Sequence, residues 1–190
     1  NCVTADSIEI GEIDGTWSSA DTTAVVIDGW TTDATHYIEV HTTSTARHKG
    51  VWSTSYYVLS VTTSASQAIY VVEEYVRIFG LQIYRSYGGA ANGGRFDGSA
   101  TGVCHLGYCL VDFNPGLALS NYRGVYCGAA NVTSYIYNNV FYHVDDAYSD
   151  GRGLSLPAGT HYVYNNTFVS CDSVGIVSTS TAYVKNNLFS

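Results

Sequence analysis

Apolar residues in this chain alternate with polar or aromatic ones in short runs, and the runs return. Ile136-Tyr137-Asn138-Asn139-Val140-Phe141 recurs as Val163-Tyr164-Asn165-Asn166-Thr167-Phe168 and again as Val184-Lys185-Asn186-Asn187-Leu188-Phe189. The shared pattern is apolar, any residue, Asn, Asn, any residue, Phe. Weaker copies stand upstream as Leu106-Gly107-Tyr108-Cys109-Leu110-Val111 and Ile78-Phe79-Gly80-Leu81-Gln82-Ile83. With the first Asn position as marker, Gly80, Tyr108, Asn138, Asn165 and Asn186 are separated by 28, 30, 27 and 21 residues. A period of two within each run is the signature of a strand, and a fixed longer period is that of a supersecondary unit that cannot bury its apolar face alone. The pattern therefore predicts an all-β solenoid in which each repeat makes one circuit of about 21–30 residues.

Stacking of circuits gives the repeated side chains a role. Ile136, Val163 and Val184 point inward, and Tyr135, Tyr162 and Tyr183 point outward, each lying about 4.8 Å from its counterpart in the next coil. A buried Asn costs roughly 2–7 kcal/mol if unpaired, but an amide both donates and accepts, so equivalent amides can satisfy one another. Asn138, Asn139, Asn165, Asn166, Asn186 and Asn187 are thus expected to form an asparagine ladder, with Phe141, Phe168 and Phe189 stacked inside. Residues 1–190 read as a single domain, with less regular coils over 1–70 and regular ones over 72–190. Tyr37-Ile38-Glu39-Val40 and Tyr57-Val58-Leu59-Ser60-Val61 are the clearest early strands. The loop Ala46-Arg47-His48-Lys49-Gly50 is expected to project, and the glycine-rich stretch 88–94 to connect two coils.

Composition narrows the classes. Apolar residues make up 46% of the chain and charged ones 13%, with 17 Tyr, 19 Gly, 2 Pro and no Met, a palette of strand and turn formers unsuited to a helical bundle. Eight Lys and Arg against sixteen Asp and Glu give a net charge of -8, which repels nucleic acid. No apolar run reaches the roughly 18 residues of a membrane span. The start at Asn1, without Met or an apolar leader, is read either as a mature protein freed of its signal peptide or as a fragment. Two lysines, many Ser, Thr and Tyr, and five Cys favour an extracellular or cell-surface setting.

Cys2, Cys104, Cys109, Cys127 and Cys171 contain no CxxC pair, so one or two disulfides plus a thiol are expected rather than zinc. Cys104 and Cys127 lie 23 residues apart, near one coil's length, and are the candidate bridge. Cys109 occupies the second Asn position and is expected to be a buried, inert thiol. Sequons at Asn131 and Asn165 are candidate glycosylation sites, Asn131 being preferred because Asn165 is assigned to the ladder.

The Asn-Asn-x-Phe corner with its aligned aromatic, together with Val76-Arg77-Ile78-Phe79-Gly80-Leu81-Gln82-Ile83, resembles the right-handed parallel β-helix proteins of the pectate-lyase-like superfamily over roughly 72–190. That resemblance implies the fold, and by analogy cleavage of acidic polysaccharides. Lyases of this shape need a basic residue beside the uronate, with Ca²⁺ or further Arg and Lys. Lys49 and Lys185 are the only lysines here, and no paired Arg occurs. Hydrolases of this shape need three carboxylates with Gly-His-Gly and Arg-x-Lys signatures, and those two signatures are missing. No catalytic residue is assigned and no cofactor is expected. The remaining cluster is His143, Asp145, Asp146, Asp150 and Arg152, with Asp172 one coil on. Asp145, Asp146 and Asp150 form a weak Ca²⁺ candidate against the plainer reading of a solvated turn. His36, His41 and His48 lack metal-site spacing. The outward Tyr135, Tyr162 and Tyr183 row is open to three uses: stacking on sugar rings, contact with another copy, or simple cover of a sheet face.

The sequence shows no amphipathic helix in residues 1–24 and stops within its best repeat, which leaves both ends of the solenoid open to strand pairing. The leading expectation is therefore a non-enzymatic extracellular structural protein that stacks end to end into a filament or surface appendage, with Cys2 or another thiol linking subunits. The alternative is a polysaccharide-active enzyme or a carbohydrate-binding surface module, in which glycans are the partner.

Overall fold

The computed structural model describes residues 1–63, 67–86, 92–96, 102–113, 123–144, 151–171 and 174–190. Apart from one helical turn, Cys2–Ala5 (α1), its regular structure is all β. The first sheet holds Glu9–Ile13 (β1), Ile38–Thr42 (β3), Tyr75–Phe79 (β6), Val103–Gly107 (β9), Thr133–Tyr137 (β12), Thr160–Tyr164 (β15) and Thr181–Lys185 (β18). The second holds Val58–Val61 (β4), Gln82–Arg85 (β7), Leu110–Asp112 (β10), Val140–Tyr142 (β13), Thr167–Val169 (β16) and Leu188–Phe189 (β19). The third holds Val25–Ile27 (β2), Gln67–Val71 (β5), Asn92–Phe96 (β8), Arg123–Cys127 (β11), Arg152–Leu156 (β14) and Val174–Ser178 (β17).

From β2 onward the chain visits the third, first and second sheets in unvarying order, and each strand pairs in parallel with the strand three places along. Between β1 and β2 the second sheet is touched only by an isolated bridge, Asp21 to Leu59. Parallel pairing throughout, with no crossover helix among the described residues, is consistent with a β-solenoid. Among the described residues, no helix is long and apolar enough to cross a membrane.

Register turns the repeats into columns. On the first sheet Val40, Ile78, Leu106, Ile136, Val163 and Val184 align, and on the second Leu59, Ile83, Val111, Phe141, Phe168 and Phe189. The three Phe rings stack 4.9 and 5.0 Å apart, within 8° of parallel. Room for them comes from the third sheet. A Cβ on Gly124 would meet Phe141 Cδ1 at 2.9 Å, one on Gly153 would meet Phe168 Cδ1 at 2.5 Å, and Gly175 faces Phe189 in the same way. The phenylalanine column thus packs against a glycine column.

The corner between the first two sheets is left-handed in every regular coil: φ is 75° at Gly80, 57° at Tyr108, 56° at Asn138, 55° at Asn165 and 54° at Asn186. Asn enters that region more readily than other residues with a β-carbon, which explains the first Asn of each repeat. Its side chain is not in the ladder: Asn165 and Asn186 are exposed and Asn138 is half-buried. The ladder belongs to the second Asn alone. Asn139 Oδ1 accepts from the Cys109 amide at 2.9 Å, and Asn166 Oδ1 accepts from both the backbone and side-chain nitrogens of Asn139 at 3.0 Å. Asn187 Oδ1 accepts from the corresponding nitrogens of Asn166 at 2.8 and 3.0 Å. Each side-chain nitrogen also donates to a carbonyl of the preceding coil: Leu106, Ile136 and Val163 respectively. Six expected ladder members are therefore three, because adjacent residues at a corner cannot both face inward.

Three further expectations are corrected. Cys104 and Cys127 are not bridged: they lie on the first and third sheets, and Cys104 is a thiol directed at the carbonyls of Glu73 and Glu74. Cys2 is fully buried in the core, so it is not placed to link subunits. The single turn that buries it is capped by Asn1, whose side chain accepts from the Thr4 amide. The 46–50 loop folds back instead of projecting. Ala46 is buried, Arg47 donates to Thr42, and the His48 ring binds the Tyr108 carbonyl at 2.8 Å.

Candidate functional site

The second sheet's outer face carries a cleft of about 350 Å³. Its floor is a column of outward residues one position beyond the Phe register: Ser60 on β4, Tyr84 on β7 and Asp112 on β10. Its walls are Ser18, Ser19 and Ala20 on one side and Trp52 and Thr54 on the other. The Trp52 and Tyr84 rings stand 6.2 Å apart, tilted by 59°.

Both walls are pinned to the sheet. Asp21 exchanges backbone hydrogen bonds with Val58 and Ser60 and accepts from the Tyr57 hydroxyl, which seats the 18–21 segment on β4. Trp17 packs edge-on against Tyr57 at 4.9 Å. Gln82, fully buried, clamps the other wall: its Oε1 accepts from the Ser53 amide at 2.8 Å, and its Nε2 donates to the Ser53 and Tyr57 carbonyls at 2.8 and 3.0 Å. Trp52 is thus presented by a segment whose backbone is tied down by a core amide.

Asp112 is the cleft's one charged lining residue among the described residues. Burial lifts its carboxyl above the ordinary aspartate range, opposed by a contact with His143 Nδ1 at 3.2 Å. His143 itself sits in a left-handed corner at φ 46°, with its ring half-exposed. The same burial, and Asp112 nearby, push the Tyr142 phenol up.

Two aromatic rings, several hydroxyls and one carboxyl are suited to a ligand with apolar C–H faces and many hydroxyl groups. Glycosidic hydrolysis needs two carboxyl groups about the scissile bond, and the described lining holds one.

Of the residues singled out in the sequence, only His143 adjoins this cleft. Arg152 lies at the start of β14, paired with Arg123. Asp145, Asp146, Asp150 and Asp172 lie outside the described residues, and so does the Ca²⁺ candidate they make up. Among the described residues no group of three His, Cys, Asp or Glu is arranged to hold a metal. His36 bridges Asp33 and Asp6 at 2.9 and 2.7 Å, and His41 bridges Glu39 and Glu12 at 2.9 and 3.3 Å, so both tie the first coil to the second. Asn131 and Asn165 are both exposed, which removes the reason for preferring one sequon.

The tyrosine row has its own geometry. His105, Tyr135, Tyr162 and Tyr183 stack at 4.9, 4.8 and 5.0 Å, each pair within 11° of parallel. Rings so stacked cover one another's faces, and a sugar ring needs a face. The interior polar pair is equally closed: Ser134 Oγ and His161 Nδ1 meet at 2.7 Å, but both residues are buried, and His161 Nε2 is held by the Ala158 carbonyl.

Trp52, Tyr84 and Asp112 did not stand out in the sequence. Tyr84 and Asp112 do carry a signal, since each follows the apolar residue aligned with Phe141 and so must face outward. Trp52 carries none, because its place depends on how an irregular segment folds over the sheet. Comparison of the chain with protein-family models, curated proteins and solved structures finds no match.

Proposed function

We propose that this chain is a right-handed parallel β-helix of the pectate-lyase-like type that serves outside the cell as a non-enzymatic carbohydrate-binding surface module. The observation that carries the reading is the cleft, where Trp52 and Tyr84 flank a hydroxyl-lined floor with a single half-buried carboxyl. The Asp112 carboxyl, the charged group in the cleft's described lining, disfavours acidic sugars, so the ligand is a short neutral oligosaccharide. Tryptophan fluorescence titration with neutral and uronate oligosaccharides tests this. Neutral sugars should bind, and Trp52→Ala or Tyr84→Ala should weaken them by about tenfold or more. Equal binding by the wild type and both variants, or a preference for uronates, would remove the cleft as the site. Glycan occupancy at Asn131 and Asn165 belongs to the same proposal and is read by mass spectrometry of protein from its natural source.

End-to-end stacking into a filament is the second reading. It is favoured by Val184 and Phe189, which continue inward columns yet are 46% and 53% exposed. A further coil of the same polypeptide would cover the same side chains. Sedimentation of this chain against Phe189→Asp separates the two: concentration-dependent rods abolished by the substitution support stacking, and a monomer at all concentrations excludes it.

A further inference from the structure

Away from the cleft, the first sheet carries a second depression, of about 140 Å³, lined by Ala34, Tyr37, Tyr75, Arg77, Val103 and His105. Arg77 lies on β6, and its guanidinium carbon rests 3.5 Å above the Tyr37 ring centre. The aromatic face fixes the plane of the fork while leaving its N–H edge open. Among the described residues the Arg77 side chain has no hydrogen-bond or ion-pair partner. The cross-strand carboxylate that would ordinarily serve, Glu39, is engaged by His41 Nδ1 at 2.9 Å. On the other flank Arg77 pairs in register with His105, whose ring stacks on Tyr135 and likewise has no hydrogen-bond partner among the described residues.

A guanidinium fork and an imidazole, neighbours on adjacent strands and both without a hydrogen-bond partner among the described residues, thus border one small depression in an otherwise acidic protein. We propose that this depression is a binding site for a short-chain carboxylate, held by the Arg77 fork with His105 as the second contact. The fork matches the two oxygens of a carboxylate in one plane, and a single negative charge is easier to seat in an acidic protein than the nearly double charge of phosphate, which can engage the same fork. The depression is small, about 140 Å³, which suits an acid the size of acetate or lactate. Screening at physiological salt confines the reach of the overall negative charge to about 8 Å; Glu39, in register with Arg77 on the adjacent strand, lies inside that reach, and the Arg77 and His41 side chains beside it offset its charge. Burial and the Arg77 charge hold His105 below the usual histidine range, and a bound carboxylate would act in the opposite direction.

The test is an NMR titration of the full chain with sodium acetate against sodium chloride at equal ionic strength, following the His105 ring nitrogens and the Tyr37 and Tyr75 amides. Saturable shifts with acetate alone, a rise in the His105 titration midpoint, and a loss of about tenfold or more in Arg77→Gln are expected. Arg77→Lys should retain weakened binding, and His105→Gln should retain the fold and lose part of the affinity, so a misfolded Arg77→Gln does not end the test. Equal shifts with chloride, no change in any of the three variants, or tighter binding of inorganic phosphate than of acetate would overturn the assignment. None of these outcomes depends on whether the cleft binds sugar.

Discussion

Replacing Asn166 by Leu isolates the ladder. Asn166 is 1% exposed, and its amide group makes four contacts: Oδ1 accepts from the Asn139 backbone and side chain, and Nδ2 donates to the Ile136 carbonyl and to Asn187 Oδ1. Leucine is of similar size and keeps the site filled, so the loss is one of hydrogen bonding. Asn139 Nδ2 retains Leu106 O, and Asn187 is half-exposed and can turn to water. Two buried backbone groups, the Asn139 N–H and the Ile136 C=O, lose the amide bonds they made to Asn166. At about 1–3 kcal/mol for each unsatisfied group, less the gain from burying an apolar side chain, the net cost is about 2–4 kcal/mol. Asn165→Leu is the control one residue away. Its side chain is exposed, and the penalty is only that Leu tolerates φ 55° less well than Asn does, a fraction of the roughly 1–2 kcal/mol that a β-carbon costs there, whereas Asn165→Gly removes the β-carbon altogether. Guanidinium unfolding gives the two costs, and hydrogen exchange at the Asn139 amide gives the mechanism: it should lose protection in Asn166→Leu and keep it in Asn165→Leu. Equal destabilisation by the two substitutions, or unchanged exchange at Asn139, would refute the assignment of the second Asn as the ladder residue.

Other outcomes follow from single sites. Gly153→Ala places a β-carbon against the Phe168 ring and the Gly175 carbonyl and should cost about 1–3 kcal/mol, whereas Gly29→Ala, with open space around it, should cost only the strain of its positive φ; thermal melts compare them. Contacts to Asp33 and then Asp6 hold the His36 imidazole above its ordinary value. Its stabilising effect is therefore full below the unfolded-state pKa near 6.5 and is lost as pH rises through the higher folded value, so melting temperature should fall across that window in the wild type and not in His36→Gln. Burial pushes the Cys104 and Cys109 thiols up to about 12, so alkylation at pH 8 should leave both unlabelled in the native protein, and peptide mapping should find no Cys104–Cys127 bridge.

The sequence carried the strand-corner-strand unit, because the period-two alternation and the recurring Asn-Asn-x-Phe depend only on local backbone geometry and on like residues meeting their own kind. It carried less about which Asn does what. A left-handed corner and a buried amide both select Asn, and only the corner's direction tells them apart. The glycines at 124, 153 and 175 were present in the sequence as a recurring x-Gly-apolar triplet, but their purpose lies in the second sheet's Phe column, on a strand elsewhere in the coil.

The tyrosines at 135, 162 and 183 illustrate the same limit. Sequence placed them on one outward column, yet whether their faces were free or covered depended on ring orientation. At a coil spacing of 4.8–5.0 Å parallel rings close on each other, and the row becomes part of the scaffold.

What this sequence determines by itself is the coil: its strands, its corners and the columns that follow from a repeated register, all of which arise from interactions between equivalent positions. What only the tertiary structure decides is everything contributed by non-equivalent positions. Trp52 is brought beside Tyr84, in the same cleft as Asp112, because a buried Gln82 holds an irregular segment over the sheet, and Arg77 stacks on Tyr37 while the Glu39 carboxylate beside it on the sheet turns to His41. Periodicity places like beside like; a binding site needs unlike side chains together, and no repeat specifies that.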